Sequence, residues 1–433
     1  MRIIRTALLS LIYFLFKWLV RLTLRWFYSR TTVVGTAAGT HSADPPCIVV
    51  TNHPSTLLDP LNTAVRLDFP VHFLANASLF RNRFANWFFN TFFCIPIERY
   101  QDTGGRPLNN TASFRRAIEH LARKGSLYIA PEGTSYIDRR LRKIKTGTAR
   151  IALEAEQSAQ FGLGLTILPI GLNYTDPTAF RSEVLLVFGS PIPVGEYRDL
   201  ETQDPIAAVQ ALTDRIRDSL ASLMIDTHDE AEEKQLSILE SLLPTVSGKR
   251  TYERWQAIRR CLGMLRDESG ELVRSVAAYE AALSEAGLRA KEVGLATGKQ
   301  DGWWMGFLGF LSIPGYVLHA PPAWAAYELD RRLNDDIHWR PTYRFLGGLI
   351  TYPVWLTILG IGLHPFGGIP GLLAMVMLAY PLGLAAEAHR KRWKRRQAVR
   401  QEQVYKERHP TGHGRMMATR EVLQRVMSAH GLI

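Results

Sequence analysis

Cys47-Ile-Val-Val-Thr51, running on into Asn52-His53-Pro54-Ser55-Thr56-Leu57-Leu58-Asp59-Pro60, carries the fold in miniature. The first five residues are a short, continuous apolar run rich in β-branched side chains, the mark of a strand buried on both faces. Pro54, Ser55 and Thr56 interrupt it, and a helical stretch begins. The same alternation repeats downstream. Val71–Ala75, Ser126–Ala130, Thr166–Ile170 and Glu183–Phe188 read as strands, and Asn110–Lys124 and Gly147–Ala159 as helices. Strands alternating with helices predict an α/β domain, its mainly parallel sheet flanked by helices.

The quoted stretch also places His53 six positions before Asp59. A carboxylate that holds one imidazole nitrogen leaves the other free to take a proton from an attacking hydroxyl. On one straight helix, residues six apart point about 120° away from each other, at about 100° per residue. The pair must therefore straddle a strand-to-helix turn. Pro54 favours an extended His53, and Ser55 or Thr56 is expected to cap the helix that presents Asp59. The spacing alone is weak support for catalysis.

Three further blocks follow in order: Cys94-Ile-Pro-Ile-Glu-Arg99, Tyr128-Ile-Ala-Pro-Glu-Gly-Thr-Ser135 and Ile167-Leu-Pro-Ile-Gly-Leu-Asn173. Together with the first block, they resemble the four motifs of the glycerolipid acyltransferase superfamily, which includes glycerol-3-phosphate and 1-acylglycerol-3-phosphate acyltransferases. The third block, Pro-Glu-Gly-Thr at a strand end, is the most specific. The resemblance covers roughly residues 46 to 195 and implies a glycerolipid acyltransferase-like fold. His53 and Asp59 are then the catalytic pair, and Asn52, Arg99, Glu132, Gly133, Thr134 and Lys145 the substrate-binding residues. Arg99 stands where the family contacts the acceptor phosphate, for which a guanidinium is suited. Gly133 allows close backbone approach. The hydroxyl would attack the thioester directly, with no covalent enzyme intermediate.

Two features depart from the common pattern. Five residues separate His53 from Asp59 where four are usual, and Ser135 stands where the third motif usually has Arg. The Leu57-Leu58-Asp59-Pro60 ending and the Lys145-Thr146-Gly147 segment are more similar to a branch that groups with glycerol-3-phosphate and dihydroxyacetone-phosphate acyltransferases. Arg139, Arg140, Arg142, Lys143 and Lys145 could supply the missing cation. The departures leave the reaction type in place and the acceptor open. Structural readings also stand: Arg99 as a surface ion-pair partner, Glu132 as a helix-capping carboxylate, and His72, His120, His319 and His364 as packing or surface residues.

The chain has 433 residues, 46% hydrophobic, and a net charge of +12. That average excludes a polytopic transporter, but the apolar residues are unevenly spread. Residues 1–30 hold an apolar stretch, Thr6–Val20, mixed with Lys17, Trp18, Arg21, Arg25 and Trp26. It suits a helix lying in a membrane interface, with a signal anchor or a buried core helix as alternatives. Residues 31–204 form the catalytic domain. Residues 205–300, rich in Glu, Arg, Leu and Ala and broken at Pro244 and Gly248, predict two to four amphipathic helices packed on it, or a solvated arm.

Residues 301–400 hold the membrane segments, and 401–433 a tail. Phe345 to Ala386 contains no Asp, Glu, Lys or Arg and divides at His364-Pro-Phe-Gly-Gly-Ile-Pro-Gly371. This predicts a transmembrane helical hairpin rather than a buried soluble one. Seven of residues 390–400 are Lys or Arg, a positive-inside flank suited to anionic headgroups. Gly302–Tyr327 is also free of charge. Acyl donors are cytosolic, so a catalytic domain facing the cytoplasm makes this piece re-entrant or interfacial, with Trp303 and Trp304 marking the interface.

Cys47, Cys94 and Cys261 form no CxxC pair and read as core thiols, with neither a disulfide framework nor a structural metal site. No phosphate-loop, dinucleotide or HExxH signature occurs, so no cofactor is expected beyond an acyl-CoA or acyl carrier protein co-substrate. The expected partners are that acyl thioester, a glycerol-phosphate or lysophospholipid acceptor and membrane lipids, with no nucleic acid. The competing readings are a lysophospholipid-remodelling enzyme and an inactive membrane scaffold of the same fold.

Overall fold

The computed structural model describes residues 2–35, 46–91, 93–243, 251–267, 270–295, 301–333 and 337–432. The chain forms two compact units. One runs to Asp226 and takes in the short segment ending at Thr342; the other holds the remainder.

The first unit is the α/β domain. Its strands are β1 (Arg30–Gly35), β2 (Cys47–Thr51), β3 (His72–Asn76), β4 (Cys94–Ile97), β5 (Leu127–Ile129), β6 (Thr166–Tyr174), β7 (Glu183–Phe188) and β8 (Ile192–Pro193). Its helices are α1 (Arg2–Phe27), α2 (Leu58–Ala64), α3 (Arg83–Thr91), α4 (Thr111–Ala122), α5 (Gly147–Ser158), α6 (Arg198–Gln203) and α7 (Pro205–Leu223). The sheet order is β1-β7-β6-β2-β5-β3-β4, with β8 on β6. Every pairing is parallel except β6 with β7 and β6 with β8, so the sheet is mainly parallel as expected.

Strand alternation sorts the two faces. Ile48, Val50, Leu127, Ile129 and Ile167 bury against Leu121 of α4, Ile151 and Ala155 of α5, and Leu212 and Ile216 of α7. The alternate residues Thr51 and Tyr128 face the other layer, their hydroxyls 2.6 Å apart. The start of α7 is legible locally. Asp204 accepts hydrogen bonds from the backbone N–H of Ile206 and Ala207, with Pro205 in the first turn. Its stripe Ala208, Leu212, Ile216 and Leu220 is fully buried, and the contact boundary between the units falls only after it. Gly171 is required where β6 meets the end of α7, because a Cβ there would lie 2.1 Å from the Leu223 carbonyl oxygen.

The second unit holds α8 (Glu230–Leu242), α9 (Thr251–Arg266), α10 (Gly270–Ala286), α11 (Asp301–Leu333), most of α12 (Arg340–Arg408) and α13 (Pro410–Ala429). In the tail, α13 packs along α10, burying Met416, Leu423 and Met427 beside Leu272, Val276 and Tyr279. The breaker positions Pro244 and Gly248 lie outside the described residues, as do the side chains of Trp303 and Trp304.

Within α12 the helical path breaks at Gly368 (φ +54°, ψ −152°), inside the predicted breaker cluster. This leaves two helices, Ile337–Pro365 and Gly367–Arg408, long and apolar enough to cross a membrane, with only 11% and 12% of their apolar windows buried. α11 contains Pro314, Pro321 and Pro322. Its His319 bridges both halves of α12, through the Tyr352 hydroxyl (3.2 Å) and the Ala379 carbonyl (2.8 Å).

Two expectations need correction. Cys94 is half-buried on β4, an edge strand, whereas Cys47 and Cys261 are buried thiols. Neither Ser55 nor Thr56 caps α2, which carries no side-chain cap. Ser55 Oγ donates to the Pro177 carbonyl instead, and the Thr56 hydroxyl pairs with that of Thr342. The His72 and His120 rings meet at a tilt of 45° with centroids 3.8 Å apart, and burial first, then the neighbouring His120, lowers the His72 pKa to about 3. That fits a packing role.

Candidate active site

The site lies where parallel strands end, at the carboxyl edge of the sheet, as in open α/β folds generally. β2 delivers His53, β5 delivers Glu132, Gly133 and Thr134, and β4 delivers Arg99. The His53–Asp59 pair straddles the turn between β2 and α2, with Asp59 in the first turn of the helix.

His53 Nδ1 lies 2.9 Å from Asp59 Oδ2; the His side chain is 20% exposed and that of Asp59 not at all. A buried carboxylate needs donors on every oxygen. Asp59 Oδ2 also accepts from Ser55 N–H (2.7 Å), and Oδ1 accepts from the Tyr174 hydroxyl (2.8 Å). Burial, first of all, and the charge of Asp59 hold Tyr174 well above the ordinary tyrosine range, so it stays a donor. Asn62 Nδ2 in turn donates to that hydroxyl (3.2 Å). With Nδ1–H held by Asp59, Nε2 takes no hydrogen bond among the described residues.

The main chain of His53 is fastened independently of its ring. Its N–H donates to Glu132 Oε1 (3.0 Å), and its carbonyl accepts from Ser135 Oγ (2.7 Å) and Tyr136 N–H (3.1 Å). Ser135, the departure from the family pattern, therefore ties the first block to the third, and it also accepts from Thr56 N–H (3.1 Å). Thr56 needs this support because a β-branched residue at φ +43° is strained, by about 1–3 kcal/mol.

Glu132 turns both carboxylate oxygens to the backbone, Oε1 to His53 N–H and Oε2 to Arg142 N–H (3.0 Å). It caps no helix and holds two loops together. Burial pushes its carboxyl up from 4.5 to about 7, against the pull of the two N–H bonds. The folded chain thus binds this proton more tightly than the unfolded chain. The resulting stabilisation is complete below about 4.5 and disappears as pH rises through about 7. It amounts to at most about 3 kcal/mol. Thermal midpoints in detergent from pH 5 to 8 should fall more steeply for the wild type than for Glu132→Gln. Equal slopes would assign the proton elsewhere.

The remaining expected residues form a second cluster. Gly133 adopts φ +74°, and a Cβ there would lie 2.4 Å from Lys145 Nζ, so the lysine lies over the bare turn. Thr134 Oγ1 meets Gln101 Oε1 at 3.3 Å. Arg99 Nε donates to Asp102 Oδ2 (2.7 Å). Burial, then the Arg99 charge, lowers the Lys145 ammonium. Arg142 is engaged with Asp138 at 2.5 Å and sits over the Tyr136 ring.

Asn52, expected to bind substrate, is placed against the sheet. It is buried, its Nδ2 donates to the Leu172 carbonyl (2.9 Å), and its Oδ1 accepts from Leu172 N–H (2.7 Å). It extends the β2–β6 ladder with a side chain. Sequence reasoning missed Tyr174, whose only signal was its place at the end of the β6 run. Tyr174→Phe leaves Asp59 Oδ1 without that donor. Transfer should fall about ten-fold, the worth of one hydrogen bond to a charged group. Unchanged kcat in a folded variant would remove Tyr174 from the relay.

Residues 30–173 match the family model described as Acyltransferase. Glycerol-3-phosphate O-acyltransferase 2 of Saccharomyces cerevisiae is 35% identical over 123 residues, covering 28% of this chain and 16% of that protein. Glycerol-3-phosphate O-acyltransferase 1 of the same yeast is 24% identical over 290 residues, covering 60% of this chain and 36% of that protein. The chloroplastic 1-acyl-sn-glycerol-3-phosphate acyltransferase BAT2 of Brassica napus is 27% identical over 134 residues, covering 31% and 35%. The matches thus span little more than a third of these relatives at most. Residues 30–173 are an acyltransferase domain of the glycerolipid acyltransferase superfamily.

Proposed function

We propose that the chain transfers a fatty acyl group from an acyl thioester to a hydroxyl of glycerol-3-phosphate or 1-acylglycerol-3-phosphate at a membrane, in phospholipid synthesis. The observation that carries this reading is the His53–Asp59 pair at 2.9 Å, with the aspartate buried and His53 Nε2 open. Nε2 takes the acceptor hydroxyl proton as the oxygen attacks the thioester carbonyl. Asp59 steadies the imidazolium that forms. The thiolate then leaves, and the proton on Nε2 is available to it.

Arg99, Lys145 and the Gly133–Thr134 turn are assigned to the acceptor phosphate. Two cations beside a glycine turn suit a dianion. Asn52 and Glu132 position the loops. The catalytic domain is assigned to the cytoplasmic side, because a Lys- and Arg-rich stretch follows the second candidate span.

The relatives differ in acceptor by name, so the acceptor is the point to test. Membranes carrying the protein are given labelled acyl-CoA with glycerol-3-phosphate or 1-acylglycerol-3-phosphate separately. Transfer to one of them identifies the step. Transfer only to a lysophospholipid without a phosphomonoester would overturn the assignment of Arg99 and Lys145.

A further inference from the structure

α1 buries Leu24 and Phe27 against the domain yet leaves a second apolar stripe uncovered. A surface helix normally turns its apolar stripe inward and its charges outward. Here Leu11, Phe14, Leu15, Trp18, Leu22 and Trp26 line one helical face at spacings of three and four, and each is 39% to 65% exposed. Three polar side chains of the helix instead bond the stretch that follows α2. The Tyr13 hydroxyl accepts from Val71 N–H (3.4 Å), Lys17 Nζ donates to the Leu67 carbonyl, and Arg21 Nη2 donates to the Val65 carbonyl (2.5 Å). Val65 and Leu67 follow the end of α2, so the two cations cap the carbonyl end of the helix that presents Asp59.

α1 also touches the stretch just beyond α3. The Tyr13 ring packs on Phe93 (4.9 Å), two residues after α3 ends. On α3, Phe84 is 71% and Trp87 57% exposed. Arg81 and Arg83 stand exposed beside them, and Arg83 and Trp87 line one open groove. Among the described residues neither Arg81 nor Arg83 makes an ion pair.

We propose that the outward face of α1 and the aromatic face of α3 form one docking surface for an anionic phospholipid bilayer, apart from the two candidate membrane-crossing helices. Tryptophan and phenylalanine sink into the interface, and Arg81 and Arg83 meet the headgroup phosphates. The occupant is a bilayer because aromatic side chains and unpaired cations share one surface, a combination that suits lipid with anionic headgroups.

The test uses the full-length protein in vesicles of roughly 3:1 phosphatidylcholine to phosphatidylglycerol. A photoreactive benzophenone side chain is placed at position 18, 84 or 87, or at Glu154, an exposed position of α5 in the opposite layer. Lipid adducts are expected at 18, 84 and 87 and absent at 154, with yields at 84 and 87 falling several-fold in pure phosphatidylcholine. Adducts to protein instead of lipid, no adducts at 84 and 87, or equal labelling at 154 would each overturn the proposal.

A second arm combines Phe84→Glu and Trp87→Glu. Transfer on vesicles should drop about ten-fold, while transfer with short-chain soluble substrates in detergent stays unchanged. Equal loss in both formats would make α3 merely structural. The adducts form without acyl transfer, so failure here is distinct from failure of the proposed reaction.

Discussion

His53→Ala should lower acyl transfer by about a thousand-fold, within the range for removing a general base, while leaving the fold in place. The reason the two effects separate is geometric. His53 holds the site together through its main chain, with N–H to Glu132 and C=O to Ser135 and Tyr136, and alanine keeps all three bonds. The single side-chain bond lost is the one to Asp59, which retains Ser55 N–H and the Tyr174 hydroxyl. The stability cost should be about 1 kcal/mol. The measurement is kcat with the best acceptor, paired with a thermal midpoint in the same detergent. A folded His53→Ala protein with more than a tenth of wild-type kcat would end the general-base mechanism.

Asp59→Asn should have a comparable effect on rate, on the order of a hundred- to ten-thousand-fold, for a different reason. Asn keeps the volume but replaces one acceptor oxygen with an NH₂ group. If that group faces His53, the ring must accept on Nδ1 and carry its hydrogen on Nε2, where it can no longer act as a base. If it faces Tyr174, the ring keeps the useful tautomer but loses the negative charge that stabilises the imidazolium. Both arrangements lower kcat.

Asp59→Ala contrasts with this. It strands three donors, from His53, Ser55 and Tyr174, in a fully buried place, at about 1–3 kcal/mol each. Asn should therefore lose activity at nearly constant thermal midpoint, and Ala should lose both. An Asn variant with wild-type kcat would reduce Asp59 to a structural carboxylate.

The strand-and-helix alternation was legible because it depends on local periodicity: β2 and β7 lie where their apolar runs place them. The His53–Asp59 turn was legible from helix geometry, since six residues on one helix cannot bring the two side chains together. The break at Gly368 followed from the Gly and Pro cluster, and the apolar spans from their length. The second and third blocks, through their resemblance to the family motifs, marked Arg99, Gly133 and Thr134 as expected substrate-binding residues, and Lys145 followed as a nearby cation.

What the sequence could not determine is which groups satisfy the buried carboxylate and the strained turn, because those partners are remote in the chain. Tyr174 reaches Asp59 across 115 positions, Ser135 reaches the His53 carbonyl across 82, and Thr342 reaches Thr56 across 286. A hydrogen bond depends on where two atoms lie, and no local propensity encodes that for partners so far apart. The same holds for Asn52, which stands in the first block and serves the sheet, and for α1, whose Lys17 and Arg21 turn inward only because carbonyls beyond α2 are there to receive them. Periodicity and block order determined the domain and the meeting of His53 with Asp59; tertiary packing alone decided what holds that pair in place and which surface of the domain is left apolar.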